Sequence, residues 1–378
     1  LFVNKKLRVI VLFLIVVMVG VLVAGCGSGG TKQTSTEGKN DTGSAAKPEK
    51  TYTLKIATTW PESISLHKMP QKFAEIVNKT SNGRLKVEVY PAGALMGAAE
   101  VLDAASSGTI DGYHDYAGYW IGKMPGAPFF ASVPMVMDSP DLYLSWIYEG
   151  GGLELWQKMY DQAGYNVKVF PLGITHPEIL AQANKPMKTF DDWQGLKYRT
   201  VGWWGDILRE FGVAVTSLPG AEVYPALERG VIDAAEFSTP YNNKVLGFDE
   251  ITKYLTGPGM HQPATMLSMG INKDVWNQLP EDLQVLIEES ARAATLWGWL
   301  YDLNESMKAL KDMEAEGMEE VKVDPEVQKK LYDITVKYLD KKAQEEGGIF
   351  AEIWDSMRNY RKQFIDYEDF MMPIRVKE

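Results

Sequence analysis

Tyr52, Leu54 and Ile56 alternate with Thr51, Thr53 and Lys55, the period-two pattern of a strand with one buried face. Phe73, Ile76 and Val77 then recur at helical spacing, in a segment that Pro70 can open and Gly83 can close. Leu85, Val87 and Val89 alternate again and stop at Pro91. Residues 98–107 read as a helix and 108–111 as a buried strand. This β-α-β-α-β order predicts an α/β protein with a parallel sheet and right-handed crossovers. A further strand is expected at 167–170. In the second half, 196–200, 206–211 and 213–216 read as strand, helix and strand. Residues 266–271 are apolar enough for a strand that returns to the first lobe. Residues 280–310 form a long helical pattern, and Pro325 starts another that runs to about residue 364. Both are expected to brace the lobes or pair subunits rather than carry chemistry.

One phrase occurs twice. Glu100-Val101, six residues, then Gly108-Thr109-Ile110-Asp111 returns as Glu222-Val223, six residues, then Gly230-Val231-Ile232-Asp233, and Ala104 and Ala226 also match. Two copies well apart suggest two lobes built on one plan, since a solenoid would need more. In each, a helix ends at Gly, a short strand follows, and the chain delivers Tyr113, His114 and Tyr116 or Glu236 and Phe237. Beyond the carboxyl end of a strand is where ligands bind in open α/β sheets.

The N-terminus bears on compartment. Lys5, Lys6 and Arg8 precede an apolar run at 9–23 that ends in Val23-Ala24-Gly25-Cys26. That pattern is expected to be a lipoprotein signal over 1–25, with Cys26 lipidated. The run is short for a membrane span, which needs ~20 apolar residues. Cys26 is the only Cys, so no intrachain disulfide can form. Residues 26–50, rich in Gly, Ser, Thr and Lys, read as a flexible tether. The chain carries a net charge of −11, and −14 once residues 1–25, with three basic and no acidic side chains, are removed. That argues against a nucleic-acid surface but leaves room for a locally positive pocket.

Enzyme motifs are absent: no GxxxxGK[ST] loop, GxSxG elbow, HExxH or CxxC occurs, and no GxGxxG follows a strand. The four His (67, 114, 176, 261) are scattered, and His176 with Glu178 offers too few ligands for zinc. What remains suggests capture of an anion. Arg199 ends an apolar strand just before Gly202-Trp203-Trp204, where it can hold a carboxylate by two parallel hydrogen bonds. Glu236 and Phe237 follow the second copy of the repeat, Glu178 follows Pro171-Leu172-Gly173, and Gln262 lies between His261 and Pro263.

Together these stretches resemble the solute-binding subunit of a tripartite ATP-independent periplasmic (TRAP) transporter. The resemblance covers nearly all of 51–340. It is carried by Leu54-Lys55-Ile56-Ala57-Thr58-Thr59-Trp60, Gly118-Tyr119-Trp120-Ile121-Gly122-Lys123, Val133-Pro134-Met135, Gly195-Leu196-Lys197-Tyr198-Arg199, Gly230-Val231-Ile232-Asp233-Ala234-Ala235-Glu236 and Pro240-Tyr241-Asn242. Residues 234–242 with Leu246-Gly247-Phe248, Tyr254, His261 and Pro263 most resemble the branch that binds 2-oxo and 2-hydroxy monocarboxylates with a metal ion.

The resemblance implies a two-lobed periplasmic-binding fold with a long bracing helix and a helical C-terminal region. Lobe I would comprise 51–172 and 263–300, lobe II 173–262 and 301–345, and a C-terminal extension 346–378. It implies that Arg199 holds the ligand carboxylate, that Glu178 and Gln262 face ligand and metal, and that Glu236 with the main-chain carbonyl of Phe237 completes the metal site. The branch tends to have Gln, Trp and Glu where this chain has Glu178, Phe237 and Gln262, so one acid and one amide have changed places and the formal charge is kept. Oxygen ligands suit Ca²⁺ or Na⁺. Trp60, Tyr119 and Trp203 are expected as aromatic cleft walls. The further expectations are TRAP membrane subunits as partners, an extracytoplasmic location through lipid on Cys26, a homodimer through 353–370, and no catalysis. Arg199→Ala is expected to abolish ligand binding while leaving the unliganded melting point nearly unchanged. Alternatives are an ATP-driven transporter's binding protein for an organic acid or polyol, a TRAP subunit for a four-carbon dicarboxylate, and an extracytoplasmic enzyme or sensor input.

Overall fold

The computed structural model describes residues 50–373 except Phe211; the signal segment, Cys26 and most of the tether lie outside the described residues. The strands are β1 (Tyr52–Thr58), β2 (Leu85–Tyr90), β3 (Gly112–Asp115), β4 (Val167–Thr175), β5 (Ala181–Ala183) and β6 (Lys197–Arg199). They continue with β7 (Ala214–Thr216), β8 (Ala234–Ala235), β9 (Tyr254–Gly257), β10 (Thr265–Asn272) and β11 (Glu319–Lys322). They form two sheets, β2-β1-β3-β10-β4 and β11-β9-β5-β8-β6-β7. No helix among the described residues is long and apolar enough to cross a membrane.

The repeated phrase does the same work in each sheet. β1 pairs in parallel with β2 and β3, and β6 with β7 and β8, so the order β2-β1-β3 recurs as β7-β6-β8. Helices Val101–Ser106 and Gly220–Glu228 stop at Gly108 and Gly230, whose φ of +78° and +65° only glycine adopts cheaply. Thr109 and Val231 then donate their N–H to Ala104 O and Ala226 O at 2.8 and 2.9 Å. The two Asp close the motif: Lys55 N–H donates to Asp111 Oδ2 at 2.8 Å and Lys197 N–H to Asp233 Oδ2 at 2.9 Å. Residues 108–111, expected as strand, are therefore helix stop and anchor. The ladder begins only at Gly112 and at Ala234.

Two crossings join the sheets. β4 leads through 176–180 into β5, and β9 returns through 258–264 into β10, which lies antiparallel between β3 and β4. The crossings touch, with Glu178 N–H donating to Gln262 O at 3.1 Å. Helix Glu281–Ala315 packs on β4 and on helices Ser65–Thr80 and Pro240–Val245. Its small buried residues let neighbours approach: a Cβ at Gly298 would lie 2.6 Å from Met69 Cγ. The expected boundary at 300 falls inside this unbroken helix.

Helix Ser65–Thr80 starts five residues before Pro70, because Ser65 N–H finds Asn242 Oδ1 at 2.8 Å and so has a partner at the exposed end of the ladder. The last helical region is two helices, Pro325–Glu346 and Gly348–Met371, broken at Gly347. Ile353, Trp354 and Met357, expected to pair subunits, are buried in the chain's own core. Along this last helix the large exposed apolar side chains lie at the far end, where Tyr367 is 61% and Phe370 87% exposed.

Candidate functional site

Strand ends and crossings deliver one cluster. Arg199 ends β6, Glu236 and Phe237 follow β8, Trp60 follows β1, and Tyr116 and Tyr119 follow β3. Glu178 comes from the first crossing, His261 and Gln262 from the second. Trp60, Leu66, Tyr116, Tyr119, Glu178, Arg199, Val201, Phe237, Gln262, Thr265 and Leu267 line a small cavity of about 20 Å³. A wider cleft of about 330 Å³ shares Tyr119 and Val201 with it. Another cleft, of about 580 Å³, shares only Glu178 with the cluster above; its wall is mostly apolar and backbone from 255–258 and 321–325.

Arg199 is 1% exposed, and its guanidinium is largely committed. Nε and Nη2 donate to Leu218 O at 3.0 and 2.8 Å, and Nη1 donates to Glu236 O at 2.7 Å and to Glu236 Oε1 at 3.2 Å. A guanidinium has five N–H groups. One, on Nη2, is left for a ligand, so the expected pair of parallel bonds gives way to a single one. The expected stability of Arg199→Ala is also corrected: removing a buried cation would strand the buried Glu236 carboxylate.

Two carboxylates are held in the same way. Glu236 Oε1 accepts from Val201 N–H at 3.1 Å as well as from Arg199, and Glu178 Oε1 accepts from Thr265 Oγ1 at 2.9 Å. Thr265 Oγ1 also lies 3.1 Å from Gln262 Oε1. One hydroxyl hydrogen cannot serve both oxygens. Turning the Gln262 amide lets Nε2 donate to Thr265 while Thr265 donates to Glu178, and frees the amide oxygen for the cavity. Glu178 Oε2, Glu236 Oε2 and both ring nitrogens of His261 are buried without a hydrogen bond, though His261 Nε2 stands 3.8 Å from Glu236 Oε2.

Burial pushes the Glu178 carboxyl well above its usual range, and the nearby Glu236 charge adds to this. Burial also acts upward on Glu236, but Arg199, then His261, outweigh it and hold that carboxyl below its ordinary value. Of the two acids, Glu178 is thus the one whose charged form its surroundings disfavour.

Orphaned buried oxygens are what a cation would satisfy. Glu178, Glu236 and His261 each offer a ligand atom, all within 4.8 Å of one another, and Phe237 and Gln262 line the same cavity. The residues fit a bound cation, with Thr265, Val201 and Arg199 orienting the carboxylates from behind.

Of the three expected aromatic walls, Trp60 and Tyr119 line the cavity, their rings 6.3 Å apart. Trp203 does not: it packs against Phe129 and Phe350 at 4.6 and 5.8 Å, because its helix turns that face to the core. Trp60 is aimed by His114, which stands in the first lobe where Glu236 stands in the second. Trp60 Nε1 donates to His114 Nδ1 at 2.8 Å, and His114 Nε2 donates to Leu172 O at 2.6 Å. Burial lowers the His114 pKa to about 3, so the ring stays neutral and keeps that tautomer. Site reasoning from sequence missed His261, Thr265, Val201, Leu66, Leu267 and the aiming role of His114. Only His261, adjacent to Gln262, carried a signal that could have placed it.

A small cavity lined by an arginine and an acid, with a second acid against that arginine, lies where the two crossings between the sheets meet, the arrangement of a two-lobed binding protein. Residues 56–346 match bacterial extracellular solute-binding protein, family 7 (DctP), and the chain belongs to that family, to which TRAP solute-binding proteins belong. A monocarboxylate 2-oxoacid-binding periplasmic protein of Nostoc sp. is 33% identical over 84% of this chain and 88% of its own length. The structure of a TRAP periplasmic solute binding protein from Colwellia psychrerythraea with bound calcium and pyruvate is 30% identical, TM-score 0.80, over 85% of this chain and 98% of that one. One from Pseudoalteromonas atlantica with bound sodium and pyruvate is 30% identical, TM-score 0.80, over 85% and 97%.

Proposed function

We propose that this chain captures a small 2-oxo or 2-hydroxy monocarboxylate together with a cation, Ca²⁺ or Na⁺, and delivers it to the membrane subunits of a TRAP transporter. The observation that carries the reading is the convergence of Arg199 with two carboxylates that each keep one buried oxygen free. The free N–H on Arg199 takes one ligand oxygen. Glu178, Glu236, the Phe237 carbonyl and Gln262 hold the cation, whose charge reconciles an anionic guest with acidic walls. Trp60, Tyr119, Leu66 and Leu267 cover the short apolar end. A single spare N–H in so small a cavity favours a monocarboxylate over a four-carbon dicarboxylate.

The two lobes, divided at the crossings 176–180 and 258–264, close about those crossings, since ligand touches both only when closed. Lipid on Cys26 tethers the protein outside the cytoplasm. It is a receptor rather than an enzyme, and its exposed C-terminal helix end pairs two copies.

The test is thermal unfolding with pyruvate, with and without EDTA. A ligand that binds only the native state raises the melting point by mass action. A rise with pyruvate is expected; its loss with EDTA identifies the cation as Ca²⁺, and its persistence in EDTA with dependence on added NaCl identifies it as Na⁺. No rise with any 2-oxo or 2-hydroxy acid tested would refute the reading.

A further inference from the structure

Helix Ser65–Thr80 begins after Ile64, an apolar residue at the position where a side-chain oxygen usually satisfies the first free N–H groups. Its cap comes instead from the segment between the two crossings. Ser65 N–H donates to Asn242 Oδ1 at 2.8 Å, across 177 positions of sequence. Asn242 Nδ2 in turn donates to Ser238 Oγ at 2.9 Å and to Thr239 Oγ1 at 3.1 Å. Asp302, on the long helix Glu281–Ala315, gathers the rest. Its Oδ1 accepts from Ser65 Oγ at 2.6 Å and from Thr239 Oγ1 at 3.0 Å. Ser65, Thr239, Asn242 and Asp302 are all fully buried. Further out the same three helices meet again, where half-buried Lys68 Nζ donates to Tyr241 OH at 2.5 Å and to Tyr301 OH at 3.0 Å.

We propose that Asn242 and Asp302 are positioning residues: with Ser65 they form a clasp between the lobes, made when the lobes close on the guest and broken when they part. The proposal rests on the reading that a guest is captured by closure, and it names what holds the closed form. Ser65 precedes the first crossing, whereas Thr239 and Asn242 lie between the two, so their bonds join one lobe to the other. Leu66 follows Ser65, Phe237 precedes Ser238, and both line the cavity. Making the clasp therefore seats one cavity wall from each lobe. Parting the lobes uncaps the helix at Ser65 and takes a donor from the buried Asp302 carboxylate, and water must replace both. A guest leaves only from the open form, so the clasp lengthens its stay and hardly alters its arrival. Lys68 is the outer layer of the same clasp, since it reaches Tyr241 only where Ser65 reaches Asn242.

Hydrogen exchange at the Ser65 amide reads the clasp directly in the unsubstituted full-length protein. Saturating pyruvate, with Ca²⁺ and Na⁺ both present, is expected to slow that exchange about tenfold. A protein that binds pyruvate without slowing it overturns the proposal. Stopped-flow tryptophan fluorescence gives the second readout, since Trp60 lines the cavity. Ser65→Ala removes the hydroxyl donor to Asp302 and keeps the N–H that Asn242 accepts; it should raise the pyruvate koff about tenfold. Lys68→Met, in the outer layer, should raise koff about threefold, and in both variants kon should stay within about twofold of the parent's. An unchanged koff in both variants, whatever the fall in melting point, marks a packing role and overturns the proposal. A parent that binds no 2-oxo or 2-hydroxy acid refutes the underlying reading instead. The exchange measurement needs no variant, so a poorly folding Ser65→Ala does not blunt the test.

Discussion

Arg199 is at once a ligand residue and a structural one. Its four protein hydrogen bonds neutralise Glu236 and cap the Leu218 carbonyl, both out of water. Arg199→Ala should therefore lose the pyruvate-induced thermal shift and also lower unliganded stability by about 3 kcal/mol, read by urea denaturation. Asp115 offers a second residue-scale test. Burial raises its pKa to about 7, against bonds from Ser268 Oγ and Trp120 Nε1. Below pH ~4 its carboxyl is protonated folded or unfolded, and its contribution is intact. As pH rises toward 7 the unfolded chain releases the proton and the folded one does not, so stability falls. Relative to Asp115→Asn, the parent should lose up to about 4 kcal/mol between pH 4 and 7. A pH-independent difference between the two would contradict that assignment.

At the scale of elements, the repeat supplies a matched pair of experiments. Gly108→Ala and Gly230→Ala each force a side chain into the left-handed region, at about 1 kcal/mol apiece. The sites sit in different sheets, so the double variant should be additive in chemical denaturation. Strongly patterned elements were legible from sequence: β1, β2, β10 and the long helix at Glu281–Ala315 lie within a few residues of their expected positions. The strands after the repeat were displaced by four residues, because an apolar Ile110 or Ile232 in a turn looks like one in a strand. In the site, Arg199, Glu178 and Gln262 line one cavity, and Glu236 lies against Arg199. Trp203 was misplaced because a Trp on a helix carries no mark of which face it serves. Thr265 was invisible because its role arises only where a strand end meets both crossings.

For the whole molecule, the C-terminal helix changes character along its length. Its first half is part of the core, with Trp354 Nε1 bonded to Asp340 Oδ1 and Lys158 paired with Glu352. Its far end presents Tyr367, Phe370, Met371 and Met372 to solvent. If that end pairs two copies, Tyr367→Ser with Phe370→Ser should yield monomers in sedimentation while the pyruvate shift is retained. A dimer that survives the double substitution would move the interface elsewhere.

The two crossings run side by side, and each contributes one residue, Glu178 or Gln262, to the same small space. A negative charge can therefore migrate from one crossing to the other over evolutionary time without leaving the pocket. Column-by-column comparison of homologues would score that migration as two losses of function. Specificity in such receptors is better inherited as a sum over neighbouring segments than as a letter at a position.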